Sequence, residues 1–121
     1  MSGFMGLKPM LYTKELTETI AFYTDVLGFE CLAFEEEWGW ASLRKDNVEI
    51  MLACPNEHIP FLKPAFTGSL YISTGEVNEL WDKYRHTCKV CYEIENFNYG
   101  MREFAIYDNN GYLLQFGQQL D

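Results

Sequence analysis

The sequence predicts an α+β fold, a single domain over residues 1–121 built from two tandem βαβββ modules whose curved mixed sheets form a cup. Three observations carry that expectation. The predicted elements run strand, helix, three strands, and then repeat in the same order. The halves also overlay: a shift of 61 residues sets Leu16 on Val77, Ile20 on Trp81 and Tyr23 on Tyr84, and a shift of 64 near the ends sets Asp46-Asn47-Val48 on Asn110-Gly111-Tyr112. Between them a proline-marked stretch from Pro55 to Pro64 reads as a linker, which gives module one about 7–54, the linker about 55–65 and module two about 66–118.

The first module opens with an extended segment, Met10 to Thr13. Leu16, Ile20, Tyr23 and Leu27 then recur at helical spacing, with Glu15 and Thr17 near the start and Gly28 just past the end as a stop. Extended segments follow at Phe29 to Glu35, Trp38 to Arg44 and Val48 to Cys54, punctuated at Gly39 and Lys45-Asp46-Asn47. The second module repeats the order with a strand from Gly68 to Ser73 and a helix carrying Val77, Leu80, Trp81 and Tyr84 on one face. Its remaining strands are Val90 to Ile94, Arg102 to Tyr107 and Tyr112 to Gly117, the last two joined by Asp108-Asn109-Asn110-Gly111 as a hairpin turn. Both helical stripes read as core. A four-stranded sheet covered by a helix on one face leaves its other face to be buried by its twin, a second subunit or a ligand.

Composition narrows the function. Of the 121 residues 48% are hydrophobic and 17% aromatic, with no apolar run near the ~20 residues that span a bilayer, so a globular chain without a membrane segment is expected. The net charge is -9 and no Lys/Arg cluster forms a phosphate-tracking stripe, which argues against nucleic acid as a partner. An acidic surface attracts cations instead. The opening residues lack the basic and then apolar segments of a secretory leader, so a cytoplasmic location is the expectation. Cys88-Lys89-Val90-Cys91 is a C-x-x-C without the second ligand pair a zinc site needs, and it follows a helix where a redox motif would open one. With Cys31 and Cys54, these read as ordinary reduced thiols.

Two stretches carry a family likeness. Thr19-Ile20-Ala21-Phe22-Tyr23-Thr24-Asp25-Val26-Leu27-Gly28-Phe29 resembles the S-x-x-F-Y-x-x-x-L-G-F helix of the glyoxalase, bleomycin-resistance and extradiol-dioxygenase superfamily, the vicinal oxygen chelate proteins. Asp108-Asn109-Asn110-Gly111-Tyr112 is similar to the D-P-x-G-Y/N of its closing hairpin, and Tyr99-Gly100-Met101-Arg102-Glu103-Phe104-Ala105 looks especially like bleomycin-resistance proteins. The resemblance spans nearly the whole chain and implies a homodimer. It is far less specific for an activity, because the fold hosts many.

Enzymes of the superfamily hold one divalent metal with a His or Glu from each of four strands, two per module. Carried over, those positions fall on or near Lys8, Met51, Ser69 and Gln115, and the internal repeat pairs Lys8 with Ser69 and Met51 with Gln115. None is a customary ligand of a catalytic divalent ion. Glu49 lies on the same strand face as Met51, but the only two histidines, His58 and His86, fall in the linker and after the second helix. The expectation is therefore a cup without metal or other cofactor. Gln115 then reads as a polar group lining a pocket, or as an exposed strand residue.

Trp38 and Trp40, two apart in one predicted strand, are expected to share a side and form an apolar wall. Glu35, Glu36 and Glu37 beside them read as a solvated turn or as the acidic mouth of a cleft. By resemblance, Tyr99, Arg102 and Glu103 border the crevice in which bleomycin-resistance proteins hold a planar, cationic drug. Aromatic faces stack on planar rings and attract cations, and carboxylates neutralise them. Arg102 alternatively pairs with an acidic neighbour. The expected ligand-binding set is Trp38, Trp40, Met51, Ser69, Tyr99, Arg102, Glu103 and Gln115, in a metal-independent small-molecule binding protein of the bleomycin-resistance type. Catalytic residues stay unassigned: Glu49 and Glu103 are the available bases and no spacing supports them. The alternatives are a metal-dependent glyoxalase-like lyase, isomerase or dioxygenase, and a partner-binding use of the fold.

Overall fold

A computed structural model describes residues 3–55 and 61–121. His58, Pro60 and the rest of 56–60 in the expected linker lie outside the described residues. The chain divides into two compact units, Met1–Leu62 and Lys63–Asp121, and each is built on its own four-stranded mixed sheet.

In the first unit β1 (Met10–Tyr12), α1 (Leu16–Ala21), β2 (Glu30–Glu35), β3 (Trp40–Lys45) and β4 (Val48–Ala53) follow in sequence. The sheet order is β1-β4-β3-β2, with β1 parallel to β4 and the other pairs antiparallel. Helical spacing buries Leu16, Tyr23 and Leu27 together with Leu11, Ala41, Leu43, Ile50 and Leu52 from alternate strand positions. Between Leu16 and Tyr23 the stripe takes in a polar residue. Thr19 is buried because its hydroxyl donates to the Glu15 carbonyl at 2.8 Å and shares a 2.8 Å hydrogen bond with Thr13. Past Ala21 the helix relaxes into a π-type turn, Phe22–Val26, closed by the Leu27 N–H on the Phe22 carbonyl at 3.1 Å. Gly28 ends it at φ +89, a conformation open to glycine at little cost.

One expectation fails here. The strand predicted from Trp38 begins at Trp40, because Glu36–Trp38 curl into a single 3₁₀ turn that Gly39 closes in the left-handed region at φ +63. The Gly39 N–H donates to the Glu36 carbonyl at 3.1 Å, and its own carbonyl accepts from the Cys54 N–H at 2.7 Å. A Cβ there would lie 2.9 Å from the Cys54 Cβ, so the position needs glycine twice over. Trp38 stands 74% exposed on the turn, whereas Trp40 lies half-buried on the sheet. The two indoles do not form one wall.

The second unit holds β5 (Leu70–Ser73), α2 (Val77–Tyr84), β6 (Lys89–Phe97), β7 (Met101–Tyr107) and β8 (Leu113–Gln119). Its order, β5-β8-β7-β6 with β5 parallel to β8, repeats the first. An aromatic core ties α2 to the sheet. Trp81 and Tyr84 meet Phe104 and Phe116 at ring-centroid distances of 5.2 and 5.5 Å, and Phe104 stacks on Phe116 at 5.2 Å. The β7–β8 turn is set by Asp108, whose Oδ1 accepts the N–H groups of Asn110, Gly111 and Tyr112 at 2.8 to 2.9 Å. The register repeats as well: Met10 faces Met51 across β1–β4 as Tyr71 faces Gln115 across β5–β8, which are the shifts of 61 and 64. Among the described residues no helix is long and apolar enough to cross a membrane.

Candidate functional site

Strand alternation sorts the second sheet into two faces. Phe104, Ile106, Leu114 and Phe116 are buried, with Phe104 and Phe116 packed on α2, so their neighbours Glu103, Ala105, Gln115 and Gly117 point the opposite way. That second face carries the polar cluster. Two irregularities in the β6–β7 ladder, between Val90 and Tyr92 and between Tyr92 and Glu95, let β6 send Tyr92, Glu95 and Phe97 into one pocket.

Glu103 is the centre. Its side chain is only 1% exposed, and both oxygens accept from phenols: Oε1 from the Tyr71 hydroxyl at 2.8 Å, Oε2 from the Tyr92 hydroxyl. Tyr92 in turn accepts from Gln115 Nε2 at 2.8 Å, and Gln115 Oε1 accepts from the Ser69 hydroxyl. The chain Ser69, Gln115, Tyr92, Glu103 therefore points every proton toward the carboxylate. Such a directed chain polarises each link and leaves the buried acceptor solvated by protein dipoles. Gln115, the lone polar residue of an apolar strand, is the link that spends its amide nitrogen and its carbonyl on different neighbours.

Tyr71 reaches Glu103 because Gly117 lets it. A Cβ on Gly117 would sit 2.0 Å from the Tyr71 hydroxyl oxygen and 2.6 Å from Cζ, so the ring occupies the space a side chain would fill. Burial, then the hydrogen bond and charge of Glu103, push the Tyr71 phenol up to about 12. The same causes raise Tyr92 further, against a smaller opposing effect of Gln115. Desolvation and then Glu103 and Glu95 raise Tyr99. All three keep their phenolic protons at neutral pH.

Tyr92, Glu95, Phe97, Tyr99, Glu103 and Gln115 line a pocket of about 390 Å³. Phe97 and Tyr99 stack at 5.5 Å with 14° between their planes, and Tyr92 meets Phe97 edge-on at 5.7 Å. Tyr99 is 60% exposed, so an aromatic face is open at the rim.

Of the residues singled out in the sequence, Tyr99, Glu103 and Gln115 line this pocket, and Ser69 joins it through Gln115. Arg102 does not. Adjacent to Glu103 on β7, it points to the helix side, where Nε donates to Asn78 Oδ1 at 2.8 Å and Nη1 to Asn96 Oδ1 at 3.0 Å. Its partners are amides rather than an acidic neighbour. In the first unit Met51 lies between Met10 and Ser42, and Trp40 opposite Ala53 and Glu35. Tyr71, Tyr92, Glu95, Phe97 and Gly117 escaped the sequence reading. Tyr71 was recoverable, since the shift of 61 places it beside Gln115 as Met10 stands beside Met51, whereas the β6 residues depend on irregularities that no spacing reveals.

The divalent metal that the fold family implies does not fit these residues. Ser69 and Gln115 donate to and accept from their own neighbours, Lys8 Nζ lies 3.7 Å from a Glu49 oxygen, and Met51 offers a soft thioether. The C-x-x-C thiols are free, and burial raises Cys88.

A repeated βαβββ unit with this helix and hairpin defines a class, and the family comparison supplies its name. Residues 7–116 match the model of the Glyoxalase/Bleomycin resistance protein/Dioxygenase superfamily, and the chain belongs to that family. No curated protein matches it. Among solved structures it is similar to TioX from Micromonospora sp. ML1, at 17% identity and TM-score 0.76 over 95% of this chain and 100% of that one. A glyoxalase/bleomycin resistance protein/dioxygenase from Nocardioides gives 16% and 0.76 over 100% and 87%. A lactoylglutathione lyase from Agrobacterium tumefaciens gives 18% and 0.70 over 94% and 92%. At such identities the likeness is one of fold.

Proposed function

We propose that the chain is a metal-independent small-molecule binding protein of the bleomycin-resistance type, a homodimer that takes a planar or cationic ligand. The observation that carries this reading is the polar chain on the second sheet: where the family's metal carboxylate would stand, Gln115 is bound into Ser69 and Tyr92, and beside it opens a pocket with aromatic walls. Concave, largely aromatic surface with a few convergent polar groups is the usual make-up of a ligand site. Glu103 has both oxygens engaged by phenols, so it holds the pocket's shape and charge rather than serving as a free base.

Native mass spectrometry of the untagged protein, followed by calorimetric titration with a broad panel of planar aromatics, tests the proposal. A dimer without stoichiometric metal that binds panel members saturably is the expected result. A stoichiometric divalent ion that supports turnover of an oxygenated substrate would replace it with a glyoxalase-like lyase, isomerase or dioxygenase.

A further inference from the structure

We infer that the open edge of β2 in the first unit docks an extended, basic segment of a partner protein, added to the sheet as a further strand. This surface is separate from the pocket of the second unit. Its first support is the edge itself. β2 ends the first sheet, so among the described residues one row of its backbone N–H and C=O groups faces no strand. Every residue of β2 except Ala33 is exposed. The other open edges are guarded: β1 and β5 are three and four residues long, and β6 carries two irregularities with Lys89, Glu93 and Glu95 along it. β2 has one irregularity, between Cys31 and Ala33, past which Ala33, Phe34 and Glu35 run in regular register with β3. Its middle, Cys31-Leu32-Ala33-Phe34, holds no charge.

The second support is the apolar surface along that edge. Leu32 and Phe34 are 42% and 43% exposed, and Trp38 stands at 74% on the turn that follows. Phe34 pairs with Ala41 and lines an open groove of about 500 Å³ with Leu16, Gly39 and Cys54, into which an added strand can set a side chain. The third support is charge, and it decides the occupant. Glu15, Glu18 and Glu36 line the same groove against one cation, Lys14, and Glu35 and Glu37 flank it. Among the described residues the ion pairs are Lys8 with Glu49 and Arg44 with Glu30, so these five carboxylates are in none. A second copy fits poorly, because antiparallel pairing of two β2 strands about their centre sets Glu30 opposite the other Glu35 at both ends. A strand with Lys or Arg flanking an apolar middle matches both features.

Selection of a random library of capped peptides of about eight residues, an ordinary strand with its ends, tests the inference on the whole chain. The expected consensus places Lys or Arg around an apolar middle. Trp38→Ser, far from the core, should weaken a selected peptide about three- to tenfold. Glu36→Lys should weaken it about two- to fivefold, and the loss should shrink as salt rises. Amide hydrogen exchange should slow across Glu30–Glu35 in the complex, as strand addition requires. An acidic or uncharged consensus, or no consensus, would overturn the inference. So would binding that leaves the β2 amides unprotected. Self-association of the free protein that Trp38→Ser abolishes would overturn it in favour of a second copy. None of these results alters binding of planar aromatics in the second unit, so the two readings fail separately.

Discussion

Replacing Gly117 by alanine puts a methyl group where Tyr71 already lies. The new Cβ would fall 2.0 Å from the phenolic oxygen, far inside van der Waals contact, so the ring must swing away and its 2.8 Å hydrogen bond to Glu103 must break. A hydrogen bond to a carboxylate contributes about 1.5–3 kcal/mol, and Tyr71 is 43% exposed and can move into solvent, so the net cost is set near 1–2 kcal/mol. Gly117 lies outside the left-handed region, so alanine meets no backbone strain. The control follows from that. In a Tyr71→Ala background the same substitution should stabilise by about 0.4–1 kcal/mol, because alanine restricts only the unfolded chain. The sign should reverse, with a coupling of about 1.5–3 kcal/mol between the two positions. Urea denaturation of the four proteins of the cycle measures it, and thermal melts should shift by roughly 3–6 °C for each kcal/mol. A coupling within about 0.5 kcal/mol of zero would mean that Tyr71 does not rest on Gly117 and that the carboxylate is held some other way.

Two further outcomes follow from the same unit. Phe104, buried against Trp81, Tyr84 and Phe116, should cost about 3–5 kcal/mol when cut to alanine, measured by denaturant unfolding; a loss below about 1 kcal/mol would contradict the aromatic core. Alkaline stability should fall through the tyrosines. A phenol raised from 10.0 to about 12 holds its proton more tightly folded than unfolded, so its contribution is complete below pH 10 and is lost as pH rises toward 12. Unfolding midpoints followed from pH 9 to 12 should drop, and Tyr71→Phe should flatten the drop; an unchanged slope in that variant would refute the assignment.

The fold was legible because two independent periodicities agreed. Leu16, Tyr23 and Leu27 at helical spacing, and Ala41 and Leu43 or Ile50 and Leu52 at spacing two, bury together. The closing hairpin was legible for a similar reason, its turn residues lying between two apolar runs. The site was legible only in part. Gln115 and Ser69 could be read because the repeat aligned them, and Glu103 because the likeness pointed to its stretch. Arg102 was taken with it, although neighbours on a strand face opposite ways and only one can enter a pocket. Trp38 and Trp40 were paired by strict alternation, and a single glycine in the left-handed region undid it. Irregularities such as those in β6 and the turn at Gly39 are decided by local contacts that periodicity averages away.

The internal repeat makes the chemistry of the two units comparable position by position. The cross-strand pair Trp40–Ala53 of the first corresponds to Glu103–Gly117 of the second, and Met10–Met51 to Tyr71–Gln115. Where one unit has an indole the other has a carboxylate, and where one has two thioethers the other has a phenol and an amide. None of these four positions in either unit packs into the helix-facing core, so topology leaves them free to differ while Ile50 and Leu52, or Leu114 and Phe116, must stay apolar. In the second unit the exchange is concerted. A carboxylate buried on the sheet requires donors, Tyr71 supplies one only over a glycine, and Tyr92 supplies the other with Gln115 behind it. A cluster in which each residue satisfies a need created by another ties these positions of the second unit together, whereas Met10 and Met51 place no such demand on their neighbours in the first.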